Sequence, residues 1–342
     1  MNILTKAGSK TKQLASVAAL ISISTLAGAS ELLPAFGLAN DEYAFTDKAG
    51  AYEVSTTAVG ADCRGLVGTI AKLVLTDPDL KCSSSFPYGF SSPVSVSVYY
   101  PENIKDLDKL PVVDFVGGIL SNDEQYTRMV EQWVSYGFIV VSSTNFINSL
   151  PTMHILGALE VSKLNKDPSS PLYGKVDLGR TVIAGHSAGG GATIQVSALP
   201  DSALRLIDPE LKVLASLPIE PGPLGSTSLS NVPTLVLTGA ADVVVLPIGW
   251  TQLWQSDWAA VKAPAWLATA NNATHFSPVR ENAKNEFAGI TTAWLLYTAK
   301  NDLNAKGYFV GRDYKLAKDP QFKPLLNPLL KVRRNKLADQ LK

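Results

Sequence analysis

The chain has 342 residues, 46% of them hydrophobic and 18% charged, and its 30 basic and 30 acidic side chains cancel to a formal net charge of zero. That length suffices for one sizeable core. The balanced charge argues against nucleic acid or an anionic membrane as a partner, since both select a basic surface.

The first element is a targeting segment. Lys6, Lys10 and Lys12 precede the small-residue apolar run "LASVAALISISTLAGA", and Ala27-Gly28-Ala29 offers the small-x-small pattern of a cleavage site. Residues 1–29 are read as an export signal, with cleavage after Ala39 as a second possibility and a retained anchor as the alternative. The run falls short of the ~20 apolar residues a bilayer span takes, and no later stretch reaches that length. A secreted or periplasmic protein is expected, with no integral membrane segment after signal removal. Export gives Cys63 and Cys82, the only cysteines, an oxidising compartment and predicts a disulfide between them.

Further along, strand-like and helix-like segments alternate. "VSVSVYYP" (94–101) alternates apolar and polar residues, and short apolar runs follow at 110–118, 137–144, 180–187, 212–219, 233–240 and 263–270. Helical patterns separate them, from "DEQYTRMVEQWVSY" to "ENAKNEFAGITTAWLLYTAKND". Apolar strands joined by helices of this length predict an α/β fold with a mostly parallel central sheet and helices on both faces. The expected organisation is a signal peptide (1–29), an N-terminal segment with the disulfide (30–84), a catalytic domain (85–312) and a charged C-terminal extension (313–342). Trp250, Trp254 and Trp258 recur every fourth residue in one helix and are expected to pack it onto the sheet, with a substrate groove as the alternative.

One serine stands out. Gly185-His186-Ser187-Ala188-Gly189 matches GxSxG and falls between a predicted strand and a predicted helix, where a tight turn lifts the serine as a nucleophile. A serine hydroxyl needs a base, and the chain has only His154, His186 and His275. His186 sits on the turn beside the serine and His154 lies in an earlier helix, which leaves His275 in "NNATHFSPV". The acid that orients the base should lie between Ser187 and His275. Asp242, directly after the apolar strand "VPTLVLTG", is the choice, and Glu220, one strand earlier, is the runner-up. An oxyanion would need two backbone N–H donors, assigned to Ala188 and Ile119, with Gly118 as the alternative to Ile119. Gly118 and Phe276 are candidate substrate contacts, and the set of residues calls for no cofactor and no metal.

The blocks "SSPLYGKVDLGRTVIAGHSAGGGA" (169–192), "VPTLVLTGAAD" (232–242) and "ATHFSPV" (273–279) resemble those of cutinase-like polyester hydrolases, the group that includes PET-degrading enzymes. Dienelactone-hydrolase-like and chlorophyllase-like enzymes share the broader pattern. The resemblance implies an α/β-hydrolase fold and a Ser187–His275–Asp242 triad with the Ile119 and Ala188 amides as oxyanion donors. It implies a carboxylic ester hydrolase acting on small or polymeric esters, and a monomer is expected. Thioester cleavage or acyl transfer by the same triad, or a non-catalytic binding protein on this scaffold, are the alternatives. Three positions depart from the family: Ile119 stands where an aromatic residue is usual, Ala188 where Met is usual, and Gly222 where Trp is usual. Without those side chains an aromatic acyl ring loses its stacking clamp.

Overall fold

A computed structural model describes residues 36–44, 50–75, 77–84, 94–255 and 262–341. The predicted leader, 1–29, lies outside them. The strands are β1 (Val54–Thr56), β2 (Gly60–Asp62), β3 (Lys81–Ser83), β4 (Ser95–Pro101), β5 (Leu110–Val116), β6 (Ile139–Thr144), β7 (Val176–His186), β8 (Val213–Ile219), β9 (Thr234–Gly239), β10 (Ala265–Ala270) and β11 (Arg333–Arg334). Among the helices are α1 (Leu38–Tyr43), α2 (Gly65–Leu75), α3 (Thr127–Ser135), α4 (Thr152–Lys166), α5 (Ala188–Ser197), α6 (Asp201–Leu204), α7 (Pro247–Gln255) and α8 (Ala288–Lys300).

Nine strands form one sheet in the order β1-β4-β6-β5-β7-β8-β9-β10-β11. The six from β6 to β10 pair in parallel, and antiparallel strands close both edges. Parallel strands need helical crossovers, which cover both faces, so these strands are apolar on both sides. Alternate residues accordingly feed two cores. Val113, Phe115, Val140 and Val182 face one containing Trp133 of α3 and Trp294 of α8. Val112, Ile139, Val141 and Ile183 face the other, with Ala158 and Val161 of α4. This is the mostly parallel α/β architecture that the alternating pattern predicts, and it agrees with the α/β-hydrolase fold that the resemblance implies.

Segments flanking residues 85–312 take part in the same sheet. β1 pairs with β4, and β11 pairs with β10 through Trp266↔Arg334 and Leu267↔Arg333. Asn335 secures the second edge by accepting from Ala265 N (3.1 Å) and donating to Ala263 O (2.9 Å). The edge strands are thus only three and two residues long, which keeps short the ladder offered to a second chain. β7 begins at Val176, ahead of the apolar run, because a register shift between Pro111 and Val112 lets β5 pair on both sides of Leu178-Gly179-Arg180. The last long helix starts at Ala288, well after the start of its pattern, since Asn285 turns back to accept from Phe287 N at 2.9 Å.

The disulfide joins Cys63 and Cys82, the pair expected from the sequence. Trp250 and Trp254 of α7 are buried with Ile194, Val236 and Leu267, so the aromatic stripe packs the helix, while Trp258 lies outside the described residues. Among the described residues no helix is long and apolar enough to cross a membrane.

Candidate active site

β7 delivers Ser187 to the C-terminal edge of the sheet, and α5 begins one residue later. Between them Ser187 takes φ 54°, ψ −118°, a region that costs a non-glycine residue about 1–3 kcal/mol. Three backbone hydrogen bonds hold it there: Ser187 N to Ile219 O (3.0 Å), and Gly191 N (3.0 Å) and Gly222 N (2.7 Å) to Ser187 O. The flanking glycines are sterically required. A Cβ on Gly185 would fall 2.5 Å from Gly189 O, and one on Gly189 would overlap the carbonyls of Val116 and Gly117.

Ser187 Oγ lies 2.9 Å from His275 Nε2, and His275 Nδ1 lies 2.9 Å from Asp242 Oδ2. All three residues are buried, none more than 7% exposed. Asp242 reaches this position because its turn after β9 makes Oδ1 accept from Val244 N (2.7 Å) and Val245 N (2.8 Å), leaving Oδ2 for the imidazole. A carboxylate only accepts, so Nδ1 carries the proton and donates it, and Nε2 is free to accept from the serine hydroxyl. Glu220, the alternative acid, stands 3.8 Å from His275 Nδ1, beyond hydrogen-bond range.

The loop after β5 is pinned on both sides of its peptide. Gly118 N donates to Tyr126 Oη (2.8 Å), while Gly118 O accepts from Ser121 Oγ (2.6 Å) and Asn148 Nδ2 (2.7 Å). The Gly118 N–H is therefore committed and is not an available oxyanion donor. The N–H groups of Ile119 and Ala188 have no acceptor among the described residues. Gly118, Ile119 and Phe276 line the same cavity of about 320 Å³ as Ser187 and His275. Ala188 follows Ser187 as the first residue of α5. Among the described residues, four of the five non-glycine residues with positive φ, namely Leu120, Asn148, Ser187 and Glu220, belong to this site or its support.

A second buried chain of hydrogen bonds runs beneath the first, and local sequence reading misses it. Tyr126 Oη meets His186 Nδ1 at 2.8 Å, and His186 Nε2 meets Glu220 Oε2 at 3.2 Å. The Tyr126 oxygen also accepts from Gly118 N, and with Nδ1 paired to Tyr126 and Nε2 to Glu220 both His186 ring nitrogens are engaged. Burial holds the His186 imidazole well below its ordinary pKa, with the neighbouring His275 adding to it, and so keeps the ring neutral. Burial also raises the Glu220 carboxyl well above its usual range, with Asp242 and Glu286 adding to it. Tyr126 is pushed up to about 12 by burial. The sequence offers His186 only as a disfavoured base and Glu220 only as the runner-up acid, without their pairing, and Tyr126 only as part of a helical pattern. His154 is fully packed, with Nδ1 3.1 Å from Asp114 Oδ1 and Nε2 3.0 Å from Thr193 Oγ1. That arrangement braces α4 against β5 and α5, away from Ser187.

The raised Glu220 carboxyl makes stability depend on pH. The unfolded chain releases this proton near pH 4.5 while the folded protein retains it, so stability falls as pH rises from there toward the folded pKa. Glu220→Gln keeps a hydrogen-bond partner for His186 and removes the ionisation. Its melting temperature should match wild type near pH 4.5 and exceed it increasingly toward pH 8, by about 2 °C or more. Thermal melts at several pH values check this.

Among the described residues, His186, Glu220 and His275 form a group of metal-ligand types whose donor atoms lie within 4.8 Å of one another. Their four ring nitrogens are already bonded to Tyr126, Glu220, Asp242 and Ser187, so a cation here would have to break the Ser187–His275–Asp242 chain.

Known proteins carry related sequences. The chain is 26% identical over 205 residues to "Cutinase est1" of Thermobifida alba, covering 58% of this chain and 63% of that protein. It is 26% identical over 212 residues to "Cutinase 2" of Thermobifida cellulosilytica, covering 60% and 74%. To the "Bis(hydroxyethyl) terephthalate hydrolase" of Streptomyces coelicolor it is 26% identical over 204 residues, covering 58% and 60%. The match thus spans about three fifths of the first of these relatives. A family model described as PET hydrolase-like covers residues 80–320, from just before β3 to beyond α8, and so includes the elbow, both candidate acids and His275. With most of its length matched, the chain belongs to the PET hydrolase-like family.

Proposed function

We propose that the protein is an exported serine esterase that hydrolyses carboxylic esters through an acyl-enzyme intermediate. The unbroken hydrogen-bond chain Ser187–His275–Asp242 beside an apolar cavity carries this reading. His275 Nε2 takes the Ser187 proton as Oγ attacks the ester carbonyl. The amides of Ile119 and Ala188 receive the developing oxyanion, and the pinned Gly118 peptide keeps the first of them in place without reorganisation. His275 returns the proton to the departing alcohol. Water then attacks the acyl-enzyme by the same steps, releasing acid and free Ser187. The leader and the disulfide support action outside the cytoplasm.

Hydrolysis of p-nitrophenyl butyrate by the purified protein tests the reading. Release of p-nitrophenol with saturation kinetics is expected. A protein that binds such esters without turning them over would be a binding module, contrary to the proposal.

A further inference from the structure

Helix α2 serves neither the sheet nor the triad, yet it stands at the cavity. The Cys63–Cys82 disulfide ties the chain entering α2 to β3, which follows it. β2 and β3 pair as a separate ribbon, and Ser83 N donates to Asn122 Oδ1 at 3.1 Å, fastening the ribbon to the segment just after the Gly118 loop. Small residues seat the helix on this base. Gly68 is buried where a Cβ would come 2.7 Å from the Cys63 backbone, and Ala71 packs against Cys63, Leu80 and Cys82.

That seating decides which face remains. Leu66, Ile70 and Leu73, at i, i+4 and i+7, are 77%, 50% and 76% exposed. A surface helix ordinarily turns its apolar stripe inward. Here Ile70 and Ala71 line the cavity that holds Ser187 and His275, together with Ile119, Leu120, Val244 and Phe276. No Lys, Arg, Asp or Glu side chain lines it among the described residues.

We propose that α2, contributed by the N-terminal segment, is the acyl-recognition wall of the site and that it selects longer aliphatic acyl chains over short ones. The acyl chain runs from the Ser187 carbonyl position along Ile70 and Ala71, and the disulfide holds that wall in place. This rests on the esterase reading. An aliphatic chain fits because Ile70, Ala71, Ile119, Leu120, Val244 and Val279 line the cavity, and a charged acyl group would find no counter-ion. The disulfide matters because a helix of this length has little stability of its own.

The test compares kcat/KM for p-nitrophenyl acetate, butyrate, octanoate and dodecanoate in wild type, Ile70→Asp and the double variant Cys63→Ser/Cys82→Ser. Ile70 is half exposed, so its replacement should spare the fold, which a thermal melt of each variant checks. Wild type should favour octanoate over acetate. Both variants should lose about tenfold or more on octanoate while acetate stays within about twofold. An unchanged octanoate-to-acetate ratio in both variants, with wild type active, overturns the wall and leaves the esterase standing. No turnover of any ester by wild type instead refutes the esterase reading, and the wall with it.

Discussion

Ser187→Ala is expected to abolish ester turnover, lowering kcat by about 10⁶-fold, the loss seen when a triad serine is removed. Asp242 and His275 alone have nothing to activate, and the oxyanion amides leave only a small residual rate over water. The fold should be untouched, because the three hydrogen bonds that hold the elbow come from backbone atoms and do not involve Oγ. Assay with p-nitrophenyl butyrate alongside a thermal melt separates the two quantities. Retention of more than a trace of activity in a folded variant would contradict the assignment of the nucleophile.

Asp242→Asn should lower kcat by about 10⁴-fold with little change in structure. Asparagine can still accept from Val244 N and Val245 N through its oxygen, which turns its NH₂ toward His275 Nδ1. An N–H facing Nδ1 forces the other tautomer, with the proton on Nε2, and that nitrogen can no longer accept from Ser187. Glu220→Gln makes the comparison decisive. With Glu220 3.8 Å from His275 Nδ1, its replacement should leave kcat far less affected. A larger loss from Glu220→Gln than from Asp242→Asn would transfer the orienting role to Glu220.

How much of this is legible in the sequence differs by residue. Ser187 announces itself because the strained elbow admits only small neighbours, so steric necessity is written locally as GxSxG. His275 follows from scarcity, with three histidines to choose among. Asp242 follows from topology, since loops gather at the C-terminal ends of parallel strands. The strands are legible because burial on both faces leaves continuous apolar runs. Tyr126, His186 and Glu220 are not, because their partnership spans 60 and 34 residues and depends on where three separate elements end. The committed N–H of Gly118 is equally hidden, since its acceptor is a side chain that sequence places only in a helix pattern. His154 reads as a helix-face residue because its partner Asp114 sits 40 residues away in an apolar strand. The cysteine pair predicts a bridge, whereas the position of α2 over the cavity comes from Gly68 and Ala71 packing at its base.

The central claim is that Ser187 is made nucleophilic by His275. Treating the folded protein with an alkyl fluorophosphonate and locating the adduct by peptide mass spectrometry tests it most directly. The account predicts one adduct, on Ser187, formed rapidly in wild type and orders of magnitude more slowly in His275→Ala. A folded wild type that takes no adduct at Ser187, or a His275→Ala variant that labels there as fast as wild type, would contradict it.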